Sequence, residues 1–458
     1  MVNPSIFKAY DIRGIYPRDL NEEIAYLVGK ALVVFTGAKT AVVGRDARVS
    51  SPALFEAVSR GILEQSADVV DVGIVSTPML NFAVAENPPP SPPLEKGEGR
   101  AGIMVTASHN PKEYNGFKLC YGDALPIGGE TGMSEIKKLV EAGEFKEAAA
   151  GRVIQKNILD AYAEKVLSMV DLNEIKPLKV VVDAGNAVGA VPLPKIFEKT
   201  PCRLIPLYFE LDGSFPNHEA NPLKEETLKD LKKKILEEKA DLGVAFDGDA
   251  DRVGFVDEKG DIVRGDLIIA LVARELLKEN QRETILYDVR SSRVVQEVVE
   301  AAGGQARMCR VGHALIKKQM KDEGAFFAGE LSSHFYYRKF YNVESGDLTM
   351  LKVLEIISQA GRSFSEIVAP LLRYFHSGEI NFKVTDKEGV MKALEEKYAS
   401  LAKGIFRLDG IRLDFDDWWF NVRPSNTEPL LRLNLEAKTK ELMEGKKEEL
   451  MKLIAQNM

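Results

Sequence analysis

Three times this chain runs a short β-branched segment into Asp or Gly and then into an apolar-periodic helix. The first pass is "TAVVGRD", followed by PALFEAVSRGILEQS, which Ser51-Pro52 opens, and the strand "ADVVDVG". The second is "KVVVDAG", the helix PLPKIFEK and the strand CRLIPLYF. The third is "ETILYDVRSS", the helix RVVQEVVEAAG and the strand ARMCRVG. Short apolar strands that end in Asp or Gly before a helix are the mark of βαβ units. The repetition predicts an α/β chain with three similar mixed α/β domains.

The remainder changes pattern. INFKV, the helix KEGVMKALEEKYASLA, then RLDGIRLDF, WWFNVRPS and LLRLNLEA predict an antiparallel sheet with helices on one face. A charged amphipathic helix, KTKELMEGKKEELMKLIAQNM, closes this C-terminal α+β domain. With 458 residues the chain is too long for one core. The expected domains are 1–152, 153–259, 260–372 and 373–458. One segment, "NPPPSPPLEKGEGRAG" from Asn87 to Gly102, is expected to be an exposed loop that forms neither strand nor helix.

Composition narrows the partners. A net charge of −8 excludes nucleic-acid binding through bulk charge, so positive charge for an anionic ligand must be gathered locally. Cys120, Cys202 and Cys309 lie far apart and never as CxxC, which argues against a disulfide framework or a zinc cluster. The start, MVNPSIFKAYDIRGIYPRD, has no apolar h-region, and no apolar run approaches the ~18 residues that span a bilayer. A cytoplasmic protein with no membrane partner is expected.

The strongest chemical signal is "DLGVAFDGDADRVGFVDEKGD". Asp247, Asp249 and Asp251 follow the apolar strand LGVAF, and three carboxylates this close repel one another unless a cation joins them. An EF-hand fits the first half of the loop and Glu258, but Arg252 stands where its turn needs glycine. An acidic solvated turn is the plain alternative. Arg252 beside a cation site reads as a clamp for phosphate or carboxylate.

Other segments gather polar groups. In "NVRPSNTEPLLRLNLEA", Arg423, Ser425, Asn426 and Thr427 crowd a turn that suits either a phosphate dianion or an ordinary strand-to-strand connection. In "GELSSHFYYR", Glu330, Ser332 and His334 alternate, so an extended loop would present them together to sugar hydroxyls. "RVGHALIKKQM" sets His313 and Lys317 at i and i+4 on a helix, and "FKAYDIRG" offers Tyr10, Asp11 and Arg13. "MVTASHNPKEYNGFK" holds Ser108, His109 and Lys118, where the serine is a helix cap, a nucleophile or a residue of no particular role. No GxxxxGK[ST] or GxGxxG is present.

Taken in order, Tyr-Asp-Ile-Arg-Gly, Thr-Ala-Ser-His-Asn-Pro, Asp-Gly-Asp-Ala-Asp-Arg, the Glu330 loop and Arg-Pro-Ser-Asn-Thr-Glu-Pro resemble the α-D-phosphohexomutases, the phosphomannomutase/phosphoglucomutase family. The resemblance spans essentially the whole chain and implies four domains around a central cleft. It implies that Ser108 carries a phosphoryl group that completes the coordination of Mg²⁺ held by Asp247, Asp249 and Asp251, which makes Ser108 the fourth metal-site residue. The phosphoryl group passes to a hexose monophosphate, the 1,6-bisphosphate turns end for end, and Ser108 takes a phosphoryl group back. Arg13 and Arg252 would steady its oxygens, and Lys118, His109, His334 and His313 are the candidate bases. Arg423, Ser425, Asn426 and Thr427 would hold the non-reacting phosphate, with Tyr10, His313, Glu330, Ser332 and His334 on the substrate.

The implied activator is glucose 1,6-bisphosphate or mannose 1,6-bisphosphate, and the implied state a monomer or weak homodimer. Leu331, where glucosamine-type members tend to carry glutamine, favours mannose and glucose phosphates. Phosphoglucosamine mutase and a non-catalytic sugar-phosphate binder of the same fold are the alternatives. Ser333 stands where the family more often has glycine, which would stiffen the sugar loop. The Pro-rich segment looks longer than the family usually has.

Overall fold

The computed structural model describes residues 2–86, 99–146, 148–425 and 430–456. The chain divides into two compact units, Met1–Arg264 with Ser332–Ile367, and Gly265–Leu331 with Val368–Met458.

The first unit holds two sheets. In one, the order is Ile12–Ile15, Tyr114–Tyr121, Arg100–Val105, Thr40–Arg45, Asp68–Ile74, Val153–Gln155. The last four run parallel, Tyr114–Tyr121 runs against them, and Ile12–Ile15 pairs antiparallel with Tyr114–Tyr121 at the edge. The expected first pass is therefore seen, with its helix at Ser51–Leu63. That helix packs on Glu22–Thr36 so closely that a Cβ on Gly29 would stand 2.2 Å from the Val58 carbonyl oxygen. The strand Arg100–Val105 begins inside the segment expected to be loop up to Gly102. Its parallel register with Thr40–Arg45 supplies the backbone partners that composition alone does not predict. Residues 87–98 of that segment lie outside the described residues.

The second sheet is ordered Ile262–Val263, Val253–Asp257, Leu242–Phe246, Lys179–Asp183, Arg203–Leu207, with its last three strands parallel. Every residue of Leu242–Phe246 is buried, as its unbroken apolar run requires. The unit also holds the hairpin of Phe335–Tyr337 with Val343–Glu344 and the helix Gly346–Ala360, which Ser345 caps.

In the second unit, Thr284–Asp288 pairs in parallel with Gln305–Cys309 and with Phe327–Gly329. The expected helix His313–Glu323 is present. The C-terminal sheet is antiparallel, ordered Phe375–His376, Leu431–Ala437, Trp418–Pro424, Ile411–Asp414, Gly404–Phe406. The helices Lys387–Tyr398 and Lys440–Gln456 bury Leu394, Tyr398, Leu450 and Ile454 with Leu413, Phe420, Leu433 and Leu435 in one core. Cys120, Cys202 and Cys309 are buried free thiols. Among the described residues, no helix is long and apolar enough to cross a membrane.

The site segments follow the carboxyl ends of parallel strands. Asp46 comes after Thr40–Arg45, Ser108 after Arg100–Val105 and Asp247 after Leu242–Phe246. Loops at these ends are where open α/β sheets bind ligands.

Candidate functional site

Ser108 is buried and held from three sides. Its amide donates to Thr106 Oγ1 at 2.9 Å, and Arg48 Nη2 donates to its carbonyl oxygen at 2.8 Å. Its hydroxyl donates to Asp247 Oδ2 at 2.7 Å, with His109 Nδ1 3.3 Å away. Its φ of +50° lies in the left-handed region, a strained conformation for a serine that these bonds maintain. A serine so placed caps no helix. Arg13, on the strand Ile12–Ile15, is fixed by Asp11 through Nε at 2.7 Å and donates to the Ala107 carbonyl oxygen at 3.2 Å and to Asn110 Oδ1. Tyr10, partly buried, precedes this pair.

The acidic loop is short because the chain turns straight back. Val253 pairs with Phe246, Ala250 donates to the Asp247 carbonyl oxygen at 3.0 Å, and Ala250 takes a φ of +57°. The turn brings candidate ligand oxygens of Asp247, Asp249 and Asp251 to within 4.8 Å of one another, all buried. Gly248 is required where it stands, because a Cβ there would lie 2.3 Å from the Ser108 carbonyl oxygen.

The electrostatics follow from that crowding. Burial, with Asp251 and Asp249 nearby, pushes the Asp247 carboxyl up to about 7. Burial also pushes Asp251 up, but Lys118, His334 and Arg252 outweigh it and hold that carboxyl well below the usual range. Lys118 Nζ bridges Asp249 Oδ2 and Asp251 Oδ2. Burial lowers the Lys118 value, yet Asp249 and Asp251 more than compensate and keep the ammonium charged. Burial, then Arg252 and Arg13, hold His109 well below its ordinary value, as a neutral imidazole. Asp249 Oδ1 is buried without a hydrogen bond, and Asp251 Oδ1, also buried, has only His334 Nε2 beside it at 3.3 Å. Unsatisfied hard oxygens in a converging set are what a divalent cation requires, so the three residues fit a metal ion.

Arg252 and His334 adjoin this set. The Arg252 amide donates to Asp247 Oδ1 at 3.2 Å, and its Nε lies 3.2 Å from His334 Nε2. The same imidazole nitrogen is 3.3 Å from Asp251 Oδ1, and Nδ1 is 3.4 Å from Ser332 Oγ. The sugar loop is not extended, which corrects the expected alternation of Glu330, Ser332 and His334. Ser333 takes a φ of +66° and the chain turns there, with the division between the two compact units at Leu331–Ser332.

In the second unit, Glu330 is buried, accepts from the Gly312 amide at 2.9 Å, and lies 3.9 Å from Arg290. Arg290 forks onto Asp288, and His313 begins its helix after Gly312. Arg423 is buried, its Nη2 3.6 Å from Glu379 and its Nη1 3.9 Å from Asp409. Arg432 faces Arg423 across the hairpin that the Ser425 amide closes on the Leu430 carbonyl oxygen at 2.8 Å. Asn426 and Thr427 lie outside the described residues. The sequence reading did not reach Arg48, Thr77, Arg290 or Glu379. Arg48 reaches Ser108, Thr77 reaches Asp249 and Arg290 reaches Glu379 across 60 residues or more, so no local pattern marks these contacts.

Profiles of the phosphoglucomutase/phosphomannomutase family match in order: alpha/beta/alpha domain I over residues 4–147, domain II over 160–260, domain III over 264–375 and the C-terminal domain over 379–453. A phosphomannomutase of Salmonella montevideo is 38% identical over 99% of this chain and 100% of its own. A phosphomannomutase/phosphoglucomutase of Pseudomonas aeruginosa is 39% identical over 96% of this chain and 93% of its own. A crystal structure of a phosphoglucomutase/phosphomannomutase family protein from Burkholderia thailandensis superposes with a TM-score of 0.90 at 33% identity, covering 100% of this chain and 98% of that one. Fold and site thus define a four-domain α/β enzyme of the isomerase class, a mutase of hexose phosphates. The chain belongs to the phosphoglucomutase/phosphomannomutase family.

Proposed function

We propose that this enzyme interconverts the 1- and 6-phosphates of mannose and glucose, with Ser108 as the carrier of the phosphoryl group. The observation that carries the reading is the Ser108 hydroxyl, strained in backbone and 2.7 Å from Asp247 Oδ2. A hydroxyl buried against a carboxylate of an acidic trio suits a group that is phosphorylated beside a cation.

Asp247, Asp249 and Asp251 would hold magnesium, which when bound supplies positive charge to the phosphoryl oxygens. Arg13 and Arg252 steady those oxygens. Lys118, charged and shared between two carboxylates, balances the acidic loop and is a poor base while so paired. His109, neutral with Nδ1 3.3 Å from the Ser108 hydroxyl, stands with His334 and His313 as a candidate to take the proton of the attacking hydroxyl. We assign Arg423 and Ser425, with Asn426 and Thr427 of the same loop, to the non-reacting phosphate. Glu330, Ser332, His334, His313 and Tyr10 are assigned to the sugar. The domains are taken as 1–152, 153–259, 260–372 and 373–458, and glucose or mannose 1,6-bisphosphate as activator.

The test uses purified enzyme, magnesium and a trace of glucose 1,6-bisphosphate. Glucose 1-phosphate and mannose 1-phosphate are each converted to the 6-phosphate, Ser108→Ala abolishes conversion, and mass analysis finds phosphate on the Ser108 peptide. No turnover of any hexose phosphate, or full turnover by Ser108→Ala, overturns the reading.

A further inference from the structure

Thr77 opens the helix Thr77–Ala85, which Ser76 caps by accepting from the Met79 amide at 3.3 Å. Thr77 therefore has no capping duty, and it spends its polar groups elsewhere. Its amide donates to the Asp249 carbonyl oxygen at 2.9 Å, and its hydroxyl donates to Asp249 Oδ2 at 2.6 Å. Both residues are buried, Thr77 3% and Asp249 0% exposed, so no water competes for these bonds.

The two oxygens of Asp249 are thereby made unequal. Oδ2 accepts from the Thr77 hydroxyl and from Lys118 Nζ, while Oδ1 is buried with no hydrogen bond at all. A hydroxyl has a single proton to give, and that of Thr77 is committed to Oδ2. Lys118 alone could not fix the carboxylate so firmly, because the same ammonium also serves Asp251 Oδ2. The branched threonine side chain has few rotamers at the start of a helix, so the donor is stiff.

We propose that Thr77 is a positioning residue for the metal loop: by holding Asp249 through its main chain and through Oδ2, it turns Oδ1 toward the cation. This rests on the reading of Asp247, Asp249 and Asp251 as metal ligands. Partners that orient ligand side chains commonly set the affinity of a metal site.

The experiment measures Mn²⁺ binding to the full-length protein by electron paramagnetic resonance and Mg²⁺ binding by calorimetry, for wild type, Thr77→Val, Thr77→Ala and Thr77→Ser. Valine keeps the shape and removes the hydroxyl, and alanine serves if valine does not fold. Loss of the hydroxyl is expected to weaken metal binding roughly tenfold or more, with serine restoring affinity to within about threefold of wild type. Thr77→Val and Thr77→Ala are also expected to lower the melting temperature in chelator, because a buried carboxylate loses a donor, so binding is compared at a temperature where all four proteins are folded. If wild type binds metal and Thr77→Val or Thr77→Ala binds it equally well, Thr77 does not position Asp249 and the inference is wrong, while the metal assignment stands. If serine fails as badly as valine, the methyl packing and not the hydroxyl matters, and the inference is again wrong. If wild type binds neither ion, the metal assignment itself fails and takes the inference with it.

Discussion

Arg48 reaches beneath Ser108, donating from Nη2 to the serine carbonyl oxygen at 2.8 Å. The same guanidinium donates to the carbonyl oxygens of Asn110 at 2.6 Å, Pro111 at 2.7 Å and Tyr114 at 3.0 Å, and its Nε donates to Asp46 at 3.1 Å. Every donor of the fork is used, and the side chain has no exposure. Arg48→Met strands a buried Asp46 and four carbonyl groups, so it is expected to cost about 3–5 kcal/mol in denaturant unfolding. Arg48→Lys keeps a charge but cannot span the loop. It is expected to fold and to lose about 100-fold in kcat, because the serine is no longer held in its strained position. Activity near wild type in Arg48→Lys would show that the loop holds Ser108 without the fork.

The strands and the acidic loop were legible in the sequence because their signals are local. An unbroken LGVAF run buries itself, and alternate aspartates after it meet as soon as the chain turns back. Arg48 and Thr77 were not legible, since their targets lie 60 and 172 residues away and only the folded sheets bring them together. The sugar loop was legible in composition and not in shape, because alternation assumes extended backbone and Ser333 is left-handed. A non-glycine residue pays about 1 kcal/mol or more for that conformation. Ser333→Gly is therefore expected to raise stability by a few tenths to about 1 kcal/mol, the glycine's greater unfolded-state freedom cancelling part of the gain. Urea unfolding decides the matter, and a loss of stability would mean that the serine side chain holds the turn.

Asp347 gives the first unit a pH dependence of its own. It is wholly buried, its Oδ2 accepts from the Tyr162 hydroxyl at 2.6 Å, and its Oδ1 has no hydrogen bond. Burial pushes its carboxyl up to about 7, against which the Tyr162 bond acts only in part. A carboxyl raised on folding contributes stability that is complete below its unfolded value, near pH 4, and is lost as pH rises through about 7. Asp347→Asn stays neutral throughout and can still accept from Tyr162. Its stability relative to wild type is expected to climb by a few kcal/mol between pH 4 and pH 8. Parallel stability curves for the two proteins over that range would rule out the buried neutral acid.

Glu379 stands among three guanidinium groups, 3.2 Å from Arg432, 3.4 Å from Arg290 and 3.6 Å from Arg423. Burial raises its carboxyl, but Arg290, Arg432 and Arg423 outweigh that and lower it, so it is an anion. None of these contacts is a short fork onto the carboxylate, and Arg423 Nε is buried without any partner. Arg423 therefore holds a donor that the carboxylate does not use, which is what a phosphate dianion could take up. On arrival the dianion meets three positive groups and is repelled by Glu379, with Asp288, Glu330 and Asp409 also within 3.9 Å of the arginines. At about 5 Å and an effective dielectric near 20, removing that charge is worth about 3 kcal/mol for each unit of phosphate charge, most of it offset by the repulsion then left among the arginines. Glu379→Gln keeps the shape of the side chain and removes the charge. It is expected to bind inorganic phosphate and glucose 1-phosphate roughly tenfold more tightly in calorimetry, with slower product release. Weaker binding would reverse the assignment, making Glu379 the strut that aligns the arginines and not a charge the ligand must overcome.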